Sequence, residues 1–132
     1  VGVIYGNTDI VDNNGTFLHP RRLQPPAELD WRSFRHGMLV CHQSFYARRE
    51  LCPPYNTQYR FSADVDWCIR ILRECEQRGF SVEPVKAVLT DYLEEGMTTQ
   101  HHRASLIERF HIMRKHYGLL STLWHHLLFC FR

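Results

Sequence analysis

The apolar residues of the chain fall into short runs typical of strands and longer stripes typical of helices. Residues 1–5 are mostly apolar and β-branched, which predicts a strand that residues 7–12 continue. The Asn-Asn-Gly sequence at 13–15 suits a tight turn, so residues 16–18 are expected to return as the second strand of a hairpin. Further strands are predicted at 38–41, 44–47 and 81–89.

Four segments have the periodicity of helices. The clearest begins after Ser62, which suits an N-cap, and ends at Gly79, which suits a C-cap. A second is expected to start at Thr98 or Thr99 and to end at Gly118. Its apolar stripe consists of Leu106, Phe110, Met113 and Tyr117. The remaining two are predicted at 27–36 and 119–131. Because strands and helices intermix, the fold belongs to the α/β or α+β class.

Composition is that of an ordinary globular domain, with 132 residues, 44% hydrophobic and 23% charged. The net charge of +2 and the short basic clusters do not indicate nucleic-acid binding. The five cysteines lack a Cys-x-x-Cys motif and are expected to be reduced thiols of a cytoplasmic protein. No apolar run approaches the ~20 residues that cross a bilayer. Because the chain opens within a strand, at Val1, it is expected to be a piece of a longer polypeptide.

Two carboxylates, Asp64 and Asp66, stand in the first turn of the helix that follows Ser62. Carboxylates in that position complement the helix dipole, which is sufficient to explain them. A carboxylate at a loop-to-helix junction can also point into a cleft and act as a general base toward a hydroxyl. The nearby Arg60 and Trp67 fit the second interpretation, since aromatic rings stack on sugar faces, although core packing explains the tryptophan equally.

Histidines supply the other candidate chemistry. His42 and Gln43 follow an apolar run and are expected at the end of a strand, where ligands gather in α/β sheets. The alternative is a buried histidine whose ring bonds a backbone carbonyl. Zinc is not assigned to the histidines of the last third, because adjacent side chains such as His101 and His102 diverge by roughly 100° on a helix. No metal ligand is predicted in this chain.

Four segments, in order, resemble those of family 2 glycosyltransferases. They look like the segment after that family's metal-binding strand, its central strand ending in His-Gln-Ser-x-x-x-Arg-Arg, its acidic motif and its Gly-Gly-x-Ser-like loop. The four segments are residues 5–15, 37–49, 59–67 and 92–99. The chain departs from the family at Asn7, where the family often has Asp.

The resemblance implies the C-terminal, acceptor-side half of a three-layer α/β domain of the GT-A fold, with a mixed sheet and flanking helices. This half would span residues 1–118, and an amphipathic helix would follow at 119–132. The implied reaction is inverting transfer of a sugar from a nucleotide-diphospho-sugar to a hydroxyl of a glycan acceptor, in bacterial surface polysaccharide synthesis. Asp64 matches the catalytic base. The expected substrate-binding residues are His42, Gln43, Arg60, Asp66 and Trp67.

The same resemblance implies a divalent Mg²⁺ or Mn²⁺, with ligands mainly in the family's N-terminal half, which has no counterpart in this chain. The chain by itself is therefore expected to be inactive. A sheet that lacks its other half exposes an unpaired edge, which predicts a homo-oligomer or a partner chain that covers this edge.

The last helical pattern, Leu119–Arg132, has leucines on one side and His125, His126 and Arg132 on the other. Such a helix can rest on the headgroups of the inner face of the membrane, or it can pack against its own domain or a partner subunit. Two non-enzymatic functions remain as alternatives. One is a glycan- or protein-binding α/β module that uses Trp31 and Trp67, and the other is a membrane-surface adaptor.

Overall fold

A four-stranded sheet is built around its central strand, β1 (Val3–Val11), in the computed structural model, which describes residues 1–60, 62–94 and 102–129. One edge of β1 pairs antiparallel with β2 (Phe17–Pro20) and β3 (Phe45–Ala47), and the other pairs parallel with β4 (Val82–Leu93). The sheet is therefore mixed. Three helices accompany it within these residues, and the predicted α/β class is confirmed.

The hairpin between β1 and β2 forms as its turn residues predict. The Asp12 carboxylate accepts the backbone N–H groups of Asn14 and Thr16, each at 2.9 Å, and Gly15 N–H donates to the Asp12 carbonyl at 3.0 Å. Gly15 has a φ of 79°, a left-handed conformation that glycine adopts without a steric penalty.

Helix α1 (Ala63–Arg78) lies where the sequence predicts it and contributes more buried residues to the core than any other described element. Gly79 ends it in the left-handed conformation, with a φ of 74°. The buried side of α1 faces Val3 and Tyr5 of the sheet and Phe34 of the segment between β2 and β3. The apolar residues on that side are Val65, Cys68, Ile69, Ile71, Leu72 and Cys75.

Two predicted elements between β2 and β3 are wrong. Residues 27–36 form only a short 3₁₀ turn, Ser33–His36, because side chains compete for the backbone: the Ser33 hydroxyl accepts Asp30 N–H and the Asp30 carboxylate accepts Arg32 N–H. Residues 38–41 are buried as expected for Met38, Val40 and Cys41, yet they have no strand partner. Burial in this segment comes from loop packing under α1 rather than from a sheet.

The buried side of helix α2 (His102–Tyr117) is rotated about the helix axis from the side that its apolar stripe predicts. Ile112 and Met113 are fully buried, whereas Leu106 is exposed and Phe110 is half-buried. The rotation follows from polar contacts with α1, since Ser105, Glu108 and His116 all bond residues of α1 or its entry. The expected caps Thr98 and Thr99 lie outside the described residues.

Helix α3 (Leu119–Phe129) has its polar and apolar sides reversed relative to a helix of a domain core. Its buried residues are Thr122 and His125, while its leucines face outward. The expectation that His125 points outward is therefore wrong: its ring packs edge-on against His36, with centroids 5.1 Å apart. Arg132 lies outside the described residues.

Cys41, Cys52, Cys68 and Cys75 are free thiols, as predicted, and Cys130 is outside the described part. None of the helices described here combines the length and the apolar character needed to cross a membrane.

Replacing Gly6 tests how closely β4 packs on β1. A Cβ at this position would stand 2.7 Å from the Leu89 side chain and 2.9 Å from the Ala87 carbonyl oxygen. Gly6→Ala is expected to lower the free energy of unfolding by about 2 kcal/mol, because the backbone at Ala87 must shift. Gly15→Ala meets nothing within 4 Å and should cost only the left-handed strain, about 1 kcal/mol. Urea denaturation that shows equal losses for both variants would contradict the close packing.

Candidate functional site

Five polar side chains from separate parts of the chain meet around a cavity of about 240 Å³. They are Asp64 in the first turn of α1, Arg21 after β2, His42 before β3, Tyr92 on β4 and Arg109 on α2. Ile10, Met38 and Cys41 provide its apolar wall. Two of the predicted site residues, Asp64 and His42, therefore lie together at this cavity.

The Asp64 carboxylate is available to a ligand. One oxygen lies 3.0 Å from His42 Nδ1, and the other accepts the N–H of Val65 at 3.0 Å. The side chain keeps 26% of its surface exposed, with the cavity beside it. A carboxylate held by one imidazole and one amide retains lone pairs for a substrate hydroxyl, which is the requirement for a general base.

His42 is positioned by a 3₁₀ turn, His42–Ser44, that the sheet anchors from two strands. The buried hydroxyls of Ser44 and Thr8 share a hydrogen bond at 2.6 Å, and Ser44 Oγ also donates to the Asn7 carbonyl at 3.2 Å. Thr90 Oγ1 of β4 donates to the Gln43 carbonyl at 2.8 Å. The backbone that carries the His42 imidazole is therefore fixed to both β1 and β4.

Asp64 is positioned by α2 through Glu108. The two oxygens of this carboxylate accept the backbone N–H groups of Arg60, at 2.8 Å, and of Ser62, at 3.0 Å. Ser62 does not cap α1 with its own hydroxyl but turns this group to Ser105 of α2, at 3.1 Å from Ser105 Oγ. A carboxylate beside the first turn also suits the positive end of the α1 dipole.

Arg21 and Arg109 make the cavity electropositive, and sequence reasoning missed both. Burial lowers the pKa of the Arg21 guanidinium, and the charge of Arg109 lowers it further, yet an arginine stays protonated in proteins. Arg21 also donates to the Leu23 carbonyl at 3.2 Å. Two guanidinium groups against the single carboxylate of Asp64 favour an anionic ligand. Only the fold brings these groups together, so their sequence positions carried no signal.

Asp66, predicted to bind substrate, lies on the opposite side of α1 from Asp64, because two residues correspond to about 200° on a helix. Its carboxylate is fully buried. One oxygen hydrogen-bonds His116 Nε2 at 2.7 Å, and the other lies 2.9 Å from Arg70 Nε. The N–H of Arg70 is not directed at the oxygen, so this second contact is an ion pair. Asp66 therefore joins α1 to α2 and does not reach the cavity.

The pKa of Asp66 is lowered in the folded chain. Burial raises it, but the hydrogen bond from His116 and the charge of Arg70 outweigh this effect. The carboxylate is therefore ionised and stabilising at neutral pH.

The other three predicted substrate residues also lie away from the cavity wall. Gln43 is exposed and contributes its carbonyl to Thr90, and Arg60 is exposed with its amide on Glu108. Trp67 donates its indole N–H to the Pro53 carbonyl at 2.9 Å and packs edge-on against Phe45 and Tyr55. The tryptophan packs partly against the core.

Among residues 1–60, 62–94 and 102–129, no three His, Cys, Asp or Glu side chains are grouped as metal ligands. The cavity offers one carboxylate beside two guanidinium groups, whereas Mg²⁺ and Mn²⁺ prefer several oxygen ligands. These residues do not fit the divalent cation that the family resemblance implies, and its binding stays a prediction.

Comparison of the chain with protein-family models and with curated proteins finds no match.

Replacing Asp66 tests its structural role. Asp66→Asn is expected to lower the free energy of unfolding at pH 7 by about 3 kcal/mol, because it removes the buried negative charge that pairs with Arg70 and His116. Asp64→Asn removes a partly exposed carboxylate and should cost less than about 1 kcal/mol. Chemical denaturation of both variants compares them directly, and equal losses would place Asp66 outside the network that joins α1 to α2.

The loss of stability in acid should also depend on the Asp66 carboxylate. Because the pKa of Asp66 is lower in the folded than in the unfolded chain, its stabilisation is complete above the unfolded value of about 3.9 and disappears as pH falls through the folded value. The wild-type chain should lose stability more steeply than Asp66→Asn below about pH 4. Parallel slopes of unfolding free energy against pH would contradict this assignment.

Replacing Glu108 tests whether its carboxylate fixes the N-terminal entry of α1. Glu108→Ala leaves the amides of Arg60 and Ser62 without their acceptor, so the free energy of local opening at the entry of α1 is expected to fall by about 1–2 kcal/mol. Amide hydrogen exchange should accelerate at Arg60 and Ser62 and stay unchanged at Cys75, near the other end of α1. Uniform acceleration along the helix would indicate global destabilisation instead.

Proposed function

We propose that this protein acts in an inverting glycosyltransferase of the nucleotide-sugar class, with Asp64 as the general base. The observation that carries the proposal is the partly exposed Asp64 carboxylate, 3.0 Å from His42, beside a cavity that also holds Arg21 and Arg109. A base next to an electropositive wall suits a reaction that deprotonates a hydroxyl and releases an anion.

The proposed step is a single displacement. Asp64 takes the proton of an acceptor hydroxyl while that oxygen forms a bond to the anomeric carbon of the donor sugar. The bond from this carbon to the diphosphate oxygen breaks on the opposite face, and its electron pair leaves with the nucleoside diphosphate. The configuration at the anomeric carbon is thereby inverted. Holding both substrates in line supplies much of the acceleration.

His42 is a positioning residue in this scheme. Its Nδ1 lies 3.0 Å from one Asp64 oxygen, which restricts the rotation of the carboxyl group and directs the remaining lone pairs to the cavity. The 3₁₀ turn that carries His42 is bonded to β1 and β4, so the orientation is fixed before substrate arrives.

Arg21 and Arg109 are suited to the departing diphosphate, since guanidinium groups match phosphate oxygens in geometry and charge. The cavity, about 240 Å³, is smaller than the ~300–1,000 Å³ of typical ligand pockets. It would take the sugar and phosphate end of a donor, so the nucleoside would bind outside these walls.

The alternative of a glycan-binding module based on tryptophan stacking has less support. Trp31 is stacked on Tyr117, with Arg73 4.1 Å from its ring centroid, and its indole N–H donates to Glu76. The Trp67 ring is packed against Phe45 and Tyr55. Both rings make contacts within the chain that a stacking sugar would have to replace.

The role of Asp64 as the base is tested by measuring sugar transfer from a nucleotide-sugar by the protein at its native length. Asp64→Asn is expected to lower kcat at least ~100-fold, the usual contribution of a general base, without changing the fold. Asp91→Asn changes an exposed carboxylate of β4 that does not line the cavity and should retain full activity. Near-normal kcat in Asp64→Asn would remove Asp64 from the role.

Arg21→Gln and Arg109→Gln test the anionic wall in the same assay. Each is expected to weaken inhibition by the nucleoside diphosphate product by roughly tenfold, because one charge-assisted hydrogen bond to phosphate is lost. Inhibition by the nucleoside alone should be unchanged. Equal effects on both inhibitors would place the arginines elsewhere than at the diphosphate.

A further inference from the structure

Helix α3 exposes an apolar stripe that no other described element covers. Four residues spaced three and four apart lie on its outer side, which places them within about 100° of each other around the helix. They are Leu120, Leu123, Trp124 and Leu127, exposed by 84%, 49%, 58% and 51%. The opposite side, with Thr122 and His125, packs against the domain. The helix therefore directs its apolar side chains into solvent.

Helix α2 extends this apolar surface. The ring of Phe110 contacts that of His126 on α3, with centroids 5.1 Å apart, which identifies the side of α2 that adjoins α3. Leu106 and Ile107 precede Phe110 by four and three residues, so they share its side, and both are exposed. Single exposed leucines are ordinary on protein surfaces, whereas an apolar surface formed by several residues of two helices indicates a binding site.

The charges at the border of this surface are cationic. Arg103 and Arg114, seven residues before and four after Phe110, lie on the same side of α2 and are exposed. Between residues 102 and 129 the one carboxylate is Glu108, and its oxygens bond the amides of Arg60 and Ser62. An exposed apolar surface bordered by arginines, with a tryptophan in it, is the pattern of helices that lie in a membrane interface.

We propose that the α2–α3 surface binds the face of a bilayer that contains anionic phospholipids. The helices lie parallel to the membrane plane, with the leucines of α3 at the acyl boundary and Trp124 at headgroup level. Arg103 and Arg114 contact the phosphate groups. A second copy of the chain is a poorer occupant, because a two-fold contact would bring the same cationic borders together.

Flotation of the protein with vesicles tests this. Phosphatidylcholine vesicles with about one-third phosphatidylglycerol should carry the chain to the top of the gradient, and pure phosphatidylcholine vesicles should carry much less. Leu123→Glu with Leu127→Glu should lower the binding constant at least about tenfold, since the variant lacks two of the leucines that enter the acyl boundary on binding. Arg103→Gln with Arg114→Gln should weaken binding to anionic vesicles by roughly tenfold or more and remove most of its salt dependence.

The control is Leu18→Glu, which places the same charge on an exposed leucine of β2, and its binding should match the wild type. Circular dichroism of each variant establishes that the fold is kept. The proposal fails if the wild-type chain does not bind anionic vesicles, or if Leu18→Glu lowers binding as much as the α3 variant. It also fails if sedimentation shows a dimer that only the α3 variant dissociates, since the surface would then be an interface between copies.

Discussion

The carboxylate of Glu108 holds the entry of α1 against α2, and the candidate site depends on this contact. It accepts the amides of Arg60 and Ser62, so the first turn of α1, including Asp64, takes its position from α2. The next residue on α2, Arg109, reaches the same cavity. The Asp64 carboxylate and the Arg109 guanidinium are therefore placed by one junction between two helices, while the sheet independently places His42.

A second contact, between Asp66 and His116, joins the same two helices inside the protein. Asp64 and Asp66 look equivalent in the sequence, but the helical period sends them to opposite sides of α1. One keeps open lone pairs beside the cavity, and the other has both oxygens engaged by His116 and Arg70. A single helical turn therefore places one carboxylate beside the cavity and the other in the contact between the two helices.

The sequence predicted the elements whose signals are local. The Asn-Asn-Gly turn, the Gly79 cap and the helix between Ser62 and Gly79 depend on residues near them, and all three are confirmed. The helix at 27–36 was wrong because Asp30 and Ser33 bond the backbone in its place, and the rotation of α2 followed from polar partners on another helix. A local sequence pattern indicated Asp64 and His42 as site residues. Arg21 and Arg109 reach the cavity only through tertiary contacts, which their spacing in the sequence does not predict.

The parallel pairing of β1 with β4 has a consequence for how the chain folds. Val3 and Val82 are register partners although 79 positions separate them, and β4 forms the entire second edge of β1. Closing so long a loop costs chain entropy before the ladder bonds can compensate for it. Domains dominated by such distant contacts fold in milliseconds to seconds rather than microseconds. We therefore expect α1 and the β1–β2 hairpin to gain structure early and the rate-limiting step to be the docking of β4.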